Sequence, residues 1–314
     1  MRLEHLCAAS RVLIVAGKGG VGKTTVTAAL AVAAARTGAS VLIIEVEGKS
    51  GLSTALGVEA LEYAEVDVRP GVRARTLTPD QALLEYLEDR GLRRISRRLV
   101  RSGALDVVAT AVPGMKDILV LGKVKQLERA GAADLIIIDA PAAGHAITFL
   151  TSARALLDAV RVGPVRTQAQ DVVELLSDAT RCRVMLVTLP EETPVNELVD
   201  TAFALEDRAG VSLGPVVVNA FPDELAVTGH TVADDAGALG IDVPTSERLA
   251  LDAATSFQRE RYALAREQAD RLAAAVPLPQ IRLPFLFREI GPAQVDALAA
   301  ALTAEVEAIP EPGA

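Results

Sequence analysis

The sequence is short of several things, and each shortage closes off a class of protein. It has two cysteines, Cys7 and Cys182, far apart and without a C-x-x-C pair. Neither a disulfide framework nor a cysteine-built zinc site is indicated, and a reducing, cytoplasmic compartment is the expectation. Tryptophan is absent and aromatics make up only 3% of the chain. Ala, Leu and Val dominate instead, which suits helices packed on a parallel sheet. Basic residues are outnumbered, 32 Lys and Arg against 41 Asp and Glu, for a net charge of −9. That balance argues against broad electrostatic binding to nucleic acid, so no nucleic-acid partner is expected. No apolar run approaches the roughly 20 residues a membrane span needs. The best candidate, Leu135 to Leu150, is interrupted by Asp139 and His145, and the first residues lack a signal-peptide layout.

What the chain does have is one dense stretch near its start, Val12 to Thr25, VLIVAGKGGVGKTT. Val12 to Ala16 reads as a buried strand, followed by a glycine-rich turn and an alanine-rich helix running to about Arg36. Gly17, Gly22, Lys23 and Thr24 fill the pattern G-x-x-x-x-G-K-[ST] of a nucleotide-phosphate cradle. Glycines let successive backbone N–H groups turn onto phosphates, and the helix N-terminus adds its positive dipole end. Lys23 places a point charge near the outer phosphates, and the Thr24 hydroxyl is free to meet Mg²⁺. The same letters also satisfy G-x-G-x-x-G through Gly17, Gly19 and Gly22, with Glu45 ending the next strand at about the dinucleotide spacing. A nicotinamide site is therefore an alternative, against which Lys18, Lys23, Thr24 and Thr25 all weigh.

With 314 residues, half of them apolar, the chain is long enough for a single large α/β domain spanning residues 1–314. Buried strands are expected at Val12–Ala16, Val41–Ile44, Leu135–Ile138, Val184–Thr188, Val216–Asn219 and Ile281–Leu283, alternating with helical patterns. That alternation implies a mostly parallel sheet covered by helices on both faces. Residues from about 80 to 130 read as a small helical insertion. Within it Arg90, Arg93, Arg94, Arg97, Arg98 and Arg101 form a basic stripe beside Leu92, Ile95 and Leu99. Such a stripe is either a solvated face or a peripheral contact for anionic lipid or an acidic partner. The tail from about Ile309 to Ala314 is expected to be disordered.

Ligands of parallel sheets collect at the carboxyl ends of strands, so chemistry is sought there. Glu45 and Glu47, two residues apart, fall on one side of the extended chain, where either can approach a γ-phosphate and its water or simply form a solvated strand end. Leu135–Ile138 leads into Asp139, a carboxylate suited to hold Mg²⁺ through its water shell opposite Thr24. The turn after it, Ala140 to His145, is positioned to sense the γ-phosphate. Asn219 follows Val216–Val218 with one amide donor and one acceptor, which suits a base edge or a turn. In the late segment from Arg282 to Arg288, Pro284 and Phe285 can lie against a base.

These residues together resemble the deviant phosphate-loop ATPases typified by the arsenite-pump ATPase and the targeting ATPase of tail-anchored membrane proteins. The resemblance is carried by GKGGVGKTT (Gly17–Thr25), IIIDAPAAGH (Ile136–His145), VVVN (Val216–Asn219) and IRLPFLFR (Ile281–Arg288). It implies ATP and Mg²⁺ as cofactors, with the loop residues Gly17, Lys18, Gly19, Gly20, Val21, Gly22, Lys23, Thr24 and Thr25 around the phosphates. Thr24 and Asp139 would serve the metal, and Asn219, Pro284 and Phe285 the adenine. In that family Lys18 is the signature lysine that reaches a partner's nucleotide across a dimer, and hydrolysis opens and closes the dimer. Three departures stand out. Glu47 occupies the place of the water-orienting Asp, and Ala140 and Ala143 replace the two threonines of the second switch. The zinc-clasp cysteines and the methionine-rich client groove have no counterpart, since Met1, Met115 and Met185 are the only methionines.

The sequence thus leads to an ATP- and Mg²⁺-dependent dimeric ATPase coupling nucleotide state to an unidentified client or partner protein, with Glu47, Lys18 and Lys23 as the catalytic set and turnover that is slow if the longer Glu47 misplaces its carboxylate. Two alternatives stay open. One is an ATP-binding regulatory subunit with little hydrolysis of its own, paired with a paralogous ATPase rather than with itself. The other is a nicotinamide-dependent oxidoreductase.

Overall fold

All six apolar runs expected to be strands lie in one sheet. The computed structural model describes residues 1–46, 51–89, 91, 114–224 and 231–310. Glu47, the arginines from Arg90 to Arg101 and the end of the tail lie outside them. The described strands are β1 Val12–Gly17, β2 Val41–Val46, β3 Val66–Arg69, β4 Val72–Leu77, β5 Leu135–Ala142, β6 Cys182–Thr188, β7 Val216–Phe221 and β8 Gln280–Pro284. Their order across the sheet is β3-β4-β2-β5-β1-β6-β7-β8, parallel throughout except for β3, which pairs antiparallel with β4 at one edge. The β3–β4 hairpin turns at Pro70-Gly71 and adds two strands to those the apolar runs predict. Elsewhere the strands outlast the runs. β5 continues through Asp139 because Gly17 still pairs with Ala142, across an irregularity in the ladder.

The described helices cover both faces. On one face lie α1 Leu3–Ala8, α2 Lys23–Arg36, α3 Gly51–Leu56 and, last in the chain, α11 Pro292–Ala308. The other carries α5 Met115–Arg129, α6 Ala143–Ala159, α7 Pro164–Ser177, α8 Glu192–Ala204 and α10 Thr245–Ala275, with α4 Pro79–Asp89 packed on α5 and α9 Val232–Leu239 on α10. β1 is buried along its entire length because helices press on it from both sides, which is why its sequence is a continuous apolar run rather than an alternation. α2 is enclosed in the same way. Its small Ala residues bring it close both to the sheet and to α11, so it has no polar stripe beyond its first turn and last residues.

Helices α4 and α5 flank the stretch expected to be an insertion, of which residues 90 and 92–113 lie outside the described residues. α5 buries charge as well as aliphatics: Lys123 meets Glu85 of α4 at 2.5 Å and Glu128 meets Arg181 at 2.7 Å. Buried ions of this kind are tolerated only as pairs, and these pairs join α5 to its neighbours. At the chain's end Ile309 packs against the α2/α11 core, and its carbonyl accepts a hydrogen bond from the Met1 ammonium, so the first residue of the expected tail is held. Among the described residues no helix is long and apolar enough to cross a membrane.

One position fixes the central strand. A Cβ at Gly17 would lie 2.3 Å from the Val187 carbonyl oxygen of β6. Only glycine lets β1 and β6 stay in register there. We expect Gly17→Ala to destabilise the fold by about 1–3 kcal/mol, the usual penalty for overpacking. A urea midpoint equal to that of the wild type would contradict this. Burial pushes the Cys7 thiol up to about 11 and the Cys182 thiol up to about 12. Since the thiolate is the reacting species, neither cysteine should be labelled by a thiol reagent at pH 8 in the native protein, and both should be labelled in denaturant.

Candidate nucleotide site

The glycine-rich loop sits where β1 ends, between β5 and β6, at the point where the chain has built outward on one side of β1 and is about to build on the other. Crevices at such points are where parallel sheets take ligands. Gly20 (φ 85°) and Gly22 (φ 88°) both occupy the left-handed region, which glycine enters without cost. They turn the loop so that Gly22 precedes the first helical residue, Lys23. Lys23 Nζ donates to the Lys18 carbonyl at 3.0 Å and draws the loop into a ring. Beneath the ring Asn219 Nδ2 donates to the Val21 carbonyl at 2.9 Å. A Cβ on Gly22 would stand 2.2 Å from that same Nδ2. Asn219 is therefore a brace for the phosphate loop, one N–H of its amide being committed to loop backbone. A strand-end Asn suits a base edge or a turn, and neither expectation includes this brace. Gly19 and Gly20 face solvent, while Lys18, Thr24 and Thr25 are half-buried.

A candidate metal corner lies on the other side of the loop. Thr24 Oγ1, in the first turn of α2, donates to Asp139 Oδ2 at 2.6 Å. A hydroxyl and a carboxylate are hard oxygen donors of the type Mg²⁺ prefers, and this contact brings them together at the phosphate end of the loop. The residues present thus fit Mg²⁺. Glu45, on β2, is the register partner of Asp139, and only 4% of its surface is exposed, so it is an interior group and not a solvated strand end. Burial pushes its carboxyl above the ordinary carboxylate range, a hydrogen bond from Thr76 opposes that, and the neighbouring Asp139 charge adds to the rise. Thr76 belongs to the β3–β4 hairpin, which no continuous apolar run marks. Its signal was the alternation of Val72, Ala74 and Thr76 beyond Pro70-Gly71.

A cavity of about 590 Å³ opens beside the loop, within the size range of small-molecule sites. Gly20 forms one wall, the ends of β6 and β7 contribute Pro190 and Ala220, α10 contributes Arg261 and Leu264, and Phe285 closes it. Ala220 has φ 54°, a strained conformation for a non-glycine residue. Arg261 stacks on the Phe285 ring at 4.3 Å, and Phe285 meets Phe287 edge to face at 4.9 Å. Pro284 ends β8 opposite Phe221. Of the two residues expected against a base, Phe285 lines this cavity and Pro284 is its chain neighbour; Arg261 lies mid-helix in a stretch with no local motif.

Lys18 points away from the loop, and its Nζ donates to Glu197 Oε1 of α8 at 2.6 Å. Both side chains are about two-fifths exposed. His145 is exposed in the first turn of α6. Glu47 lies outside the described residues, so its place in the site stays an expectation.

A family model described as anion-transporting ATPase matches residues 10–162, a span that includes the loop, Glu45 and Asp139. The chain is 34% identical over 300 residues to ATPase BagA of Mycobacterium tuberculosis, covering 87% of each protein. It is 30% identical over 141 residues to ATPase get3 of Schizosaccharomyces japonicus, covering 44% of this chain and 42% of that one. It is 28% identical over 209 residues to the arsenical pump-driving ATPase of Escherichia coli, covering 66% of this chain and 34% of that one. The family inferred from four short motifs is thus recovered by similarity across most of the chain, and the protein belongs to the anion-transporting ATPase family.

Proposed function

We propose that this protein is an ATP- and Mg²⁺-dependent ATPase that works as a dimer and couples its nucleotide state to the binding of a client or partner protein. The observation that carries this reading is the 2.6 Å hydrogen bond between Thr24 and Asp139, which joins the first turn of α2 to β5 and brings together two oxygen donors suited to magnesium. The relatives named as ATPases support it.

In this reading the loop amides from Gly19 to Thr24 and the Lys23 ammonium hold the phosphates, and the cavity walled by Ala220, Arg261 and Phe285 takes the base. Thr24 and Asp139 hold Mg²⁺, which when bound supplies positive charge to the phosphate oxygens. Glu47 orients the attacking water and accepts its proton. Lys18 is free to serve a partner's nucleotide once it leaves Glu197. That pair is a surface one, worth at most about 1 kcal/mol, so exchanging it for a phosphate contact costs little. The nicotinamide alternative is set aside because Glu45, its ribose ligand, is turned inward onto Thr76 and the metal corner.

A second reading, a subunit paired with a paralogous ATPase that completes hydrolysis, is favoured by Ala140 and Ala143, which carry no hydroxyl where the family has threonine. ATP turnover with light scattering separates the two. Turnover with ATP-dependent doubling of mass supports the self-sufficient enzyme. Tight ATP binding by a monomer without turnover supports the paired subunit.

Three substitutions test the assignments. Asp139→Asn should lower Mg²⁺-dependent turnover at least about tenfold while leaving nucleotide binding in EDTA intact, and unchanged turnover would remove Asp139 from the metal site. Glu47→Gln should cost about a hundredfold in turnover without loss of ATP affinity. Glu197→Gln should strengthen ATP-driven association by no more than about fivefold, the equivalent of one surface ion pair. Weaker association would mean that Glu197 belongs to the interface instead.

A further inference from the structure

The metal corner contains one more carboxylate than the donor pair requires. Thr76, Glu45 and Asp139 form a single row across β4, β2 and β5, since Glu45 is the register partner of both Thr76 and Asp139. Register partners in parallel strands point to the same face, here the face against which α2 packs. Both carboxylates are more than nine-tenths buried. Each is held by a named donor: Asp139 by Thr24 Oγ1 at 2.6 Å, and Glu45 by Thr76 Oγ1 at 3.0 Å and by the backbone N–H of Leu52. Leu52 lies in the first turn of α3, and its neighbour Gly51 sits against Thr24, so close that a Cβ there would be 3.4 Å from the Thr24 methyl.

Two adjacent buried carboxylates repel each other and lack water to screen them. An arrangement of this kind is relieved when a dication binds beside it. Mg²⁺ retains several of its waters in protein sites, and carboxylates just outside the coordination sphere orient those waters and tune the affinity. We propose that Glu45 is a positioning residue of the magnesium site, accepting hydrogen bonds from the water shell of an ion held by Thr24 and Asp139. Through Leu52 it also ties the start of α3 to that ion. The proposal rests on the ATP and Mg²⁺ reading above. The Thr76 hydroxyl has a single proton and two acceptors in reach, Glu45 at 3.0 Å and the Leu61 carbonyl at 3.2 Å. It can turn to Leu61 when Glu45 takes up water, so the row rearranges without stranding a buried donor.

The test uses the full chain with ADP and Mn²⁺, a paramagnetic substitute for Mg²⁺ whose binding is read by electron paramagnetic resonance. Glu45→Gln keeps the shape and an acceptor oxygen but removes the charge, so it is expected to fold and to melt no lower than the wild type. Its Mn²⁺ affinity in the ADP complex should fall about 10–100-fold, the usual cost of losing an outer carboxylate, while ADP affinity in EDTA stays unchanged. Thr76→Val removes the hydroxyl and leaves the charge, so Mn²⁺ affinity should change by less than about threefold. A Glu45→Gln protein that binds Mn²⁺ as tightly as the wild type overturns the proposal. So does a variant that loses thermal stability and Mn²⁺ affinity together with ADP affinity, since that is what a purely structural role predicts. If the wild type itself binds no ADP in EDTA and no Mn²⁺ with ADP, the nucleotide reading fails first and this proposal with it.

Discussion

The contact between Thr24 and Asp139 is the constraint to which the site's other features answer. It requires the first turn of α2 to sit directly over β5 at Asp139, so the loop between β1 and α2 has only a few residues in which to reverse direction. The reversal is possible because Gly20 and Gly22 accept left-handed backbone and because Gly17 lets β1 press against the Val187 carbonyl. Asn219 then fills the space that a side chain on Gly22 would have taken and bonds the Val21 carbonyl. The glycines serve close approach, and the loop's shape is set by packing against Asn219 and the Val187 carbonyl. Preorganisation of this kind spares a ligand the cost of ordering the loop.

The sheet divides the site between its two sides. Toward β5, β2 and β4 the walls are carboxylates and hydroxyls, chemistry for a metal ion and its water. Toward β6, β7 and β8 the walls are Pro190, Ala220, Leu264 and the Arg261–Phe285 stack, chemistry for a flat, partly apolar group. A molecule with a heterocycle at one end and phosphates at the other spans such a site across β1. This polarity follows from strand order, because β1 lies between the two halves of the chain.

Much of this was legible in the sequence, for reasons that also explain what was not. β1, α2 and β5 announced themselves because burial on both faces forces unbroken apolar runs, and the loop because its chemistry needs glycines and Lys23 at fixed offsets. The β3–β4 hairpin escaped because an edge hairpin alternates, and Arg73 and Arg75 disguised its buried side. With it went Thr76, and with Thr76 the reason Glu45 is interior. The contacts Lys18–Glu197 and Asn219–Val21 join residues 179 and 198 positions apart, and no local pattern encodes such distances. Asn219 could be placed at a strand end from its run of valines, but its second task, bracing the loop, depends on β7 lying beside β6, which only the assembled sheet defines.

A magnesium-nucleotide site built by the loop, Thr24 and Asp139 would bind ATP and the metal together. Calorimetric titration of the purified chain with ATP, in Mg²⁺ and again in EDTA, with NADH as the control ligand, tests it most directly. ATP binding should tighten markedly in Mg²⁺, with no binding of NADH. ATP affinity indifferent to Mg²⁺, or NADH binding at the same site, would contradict it.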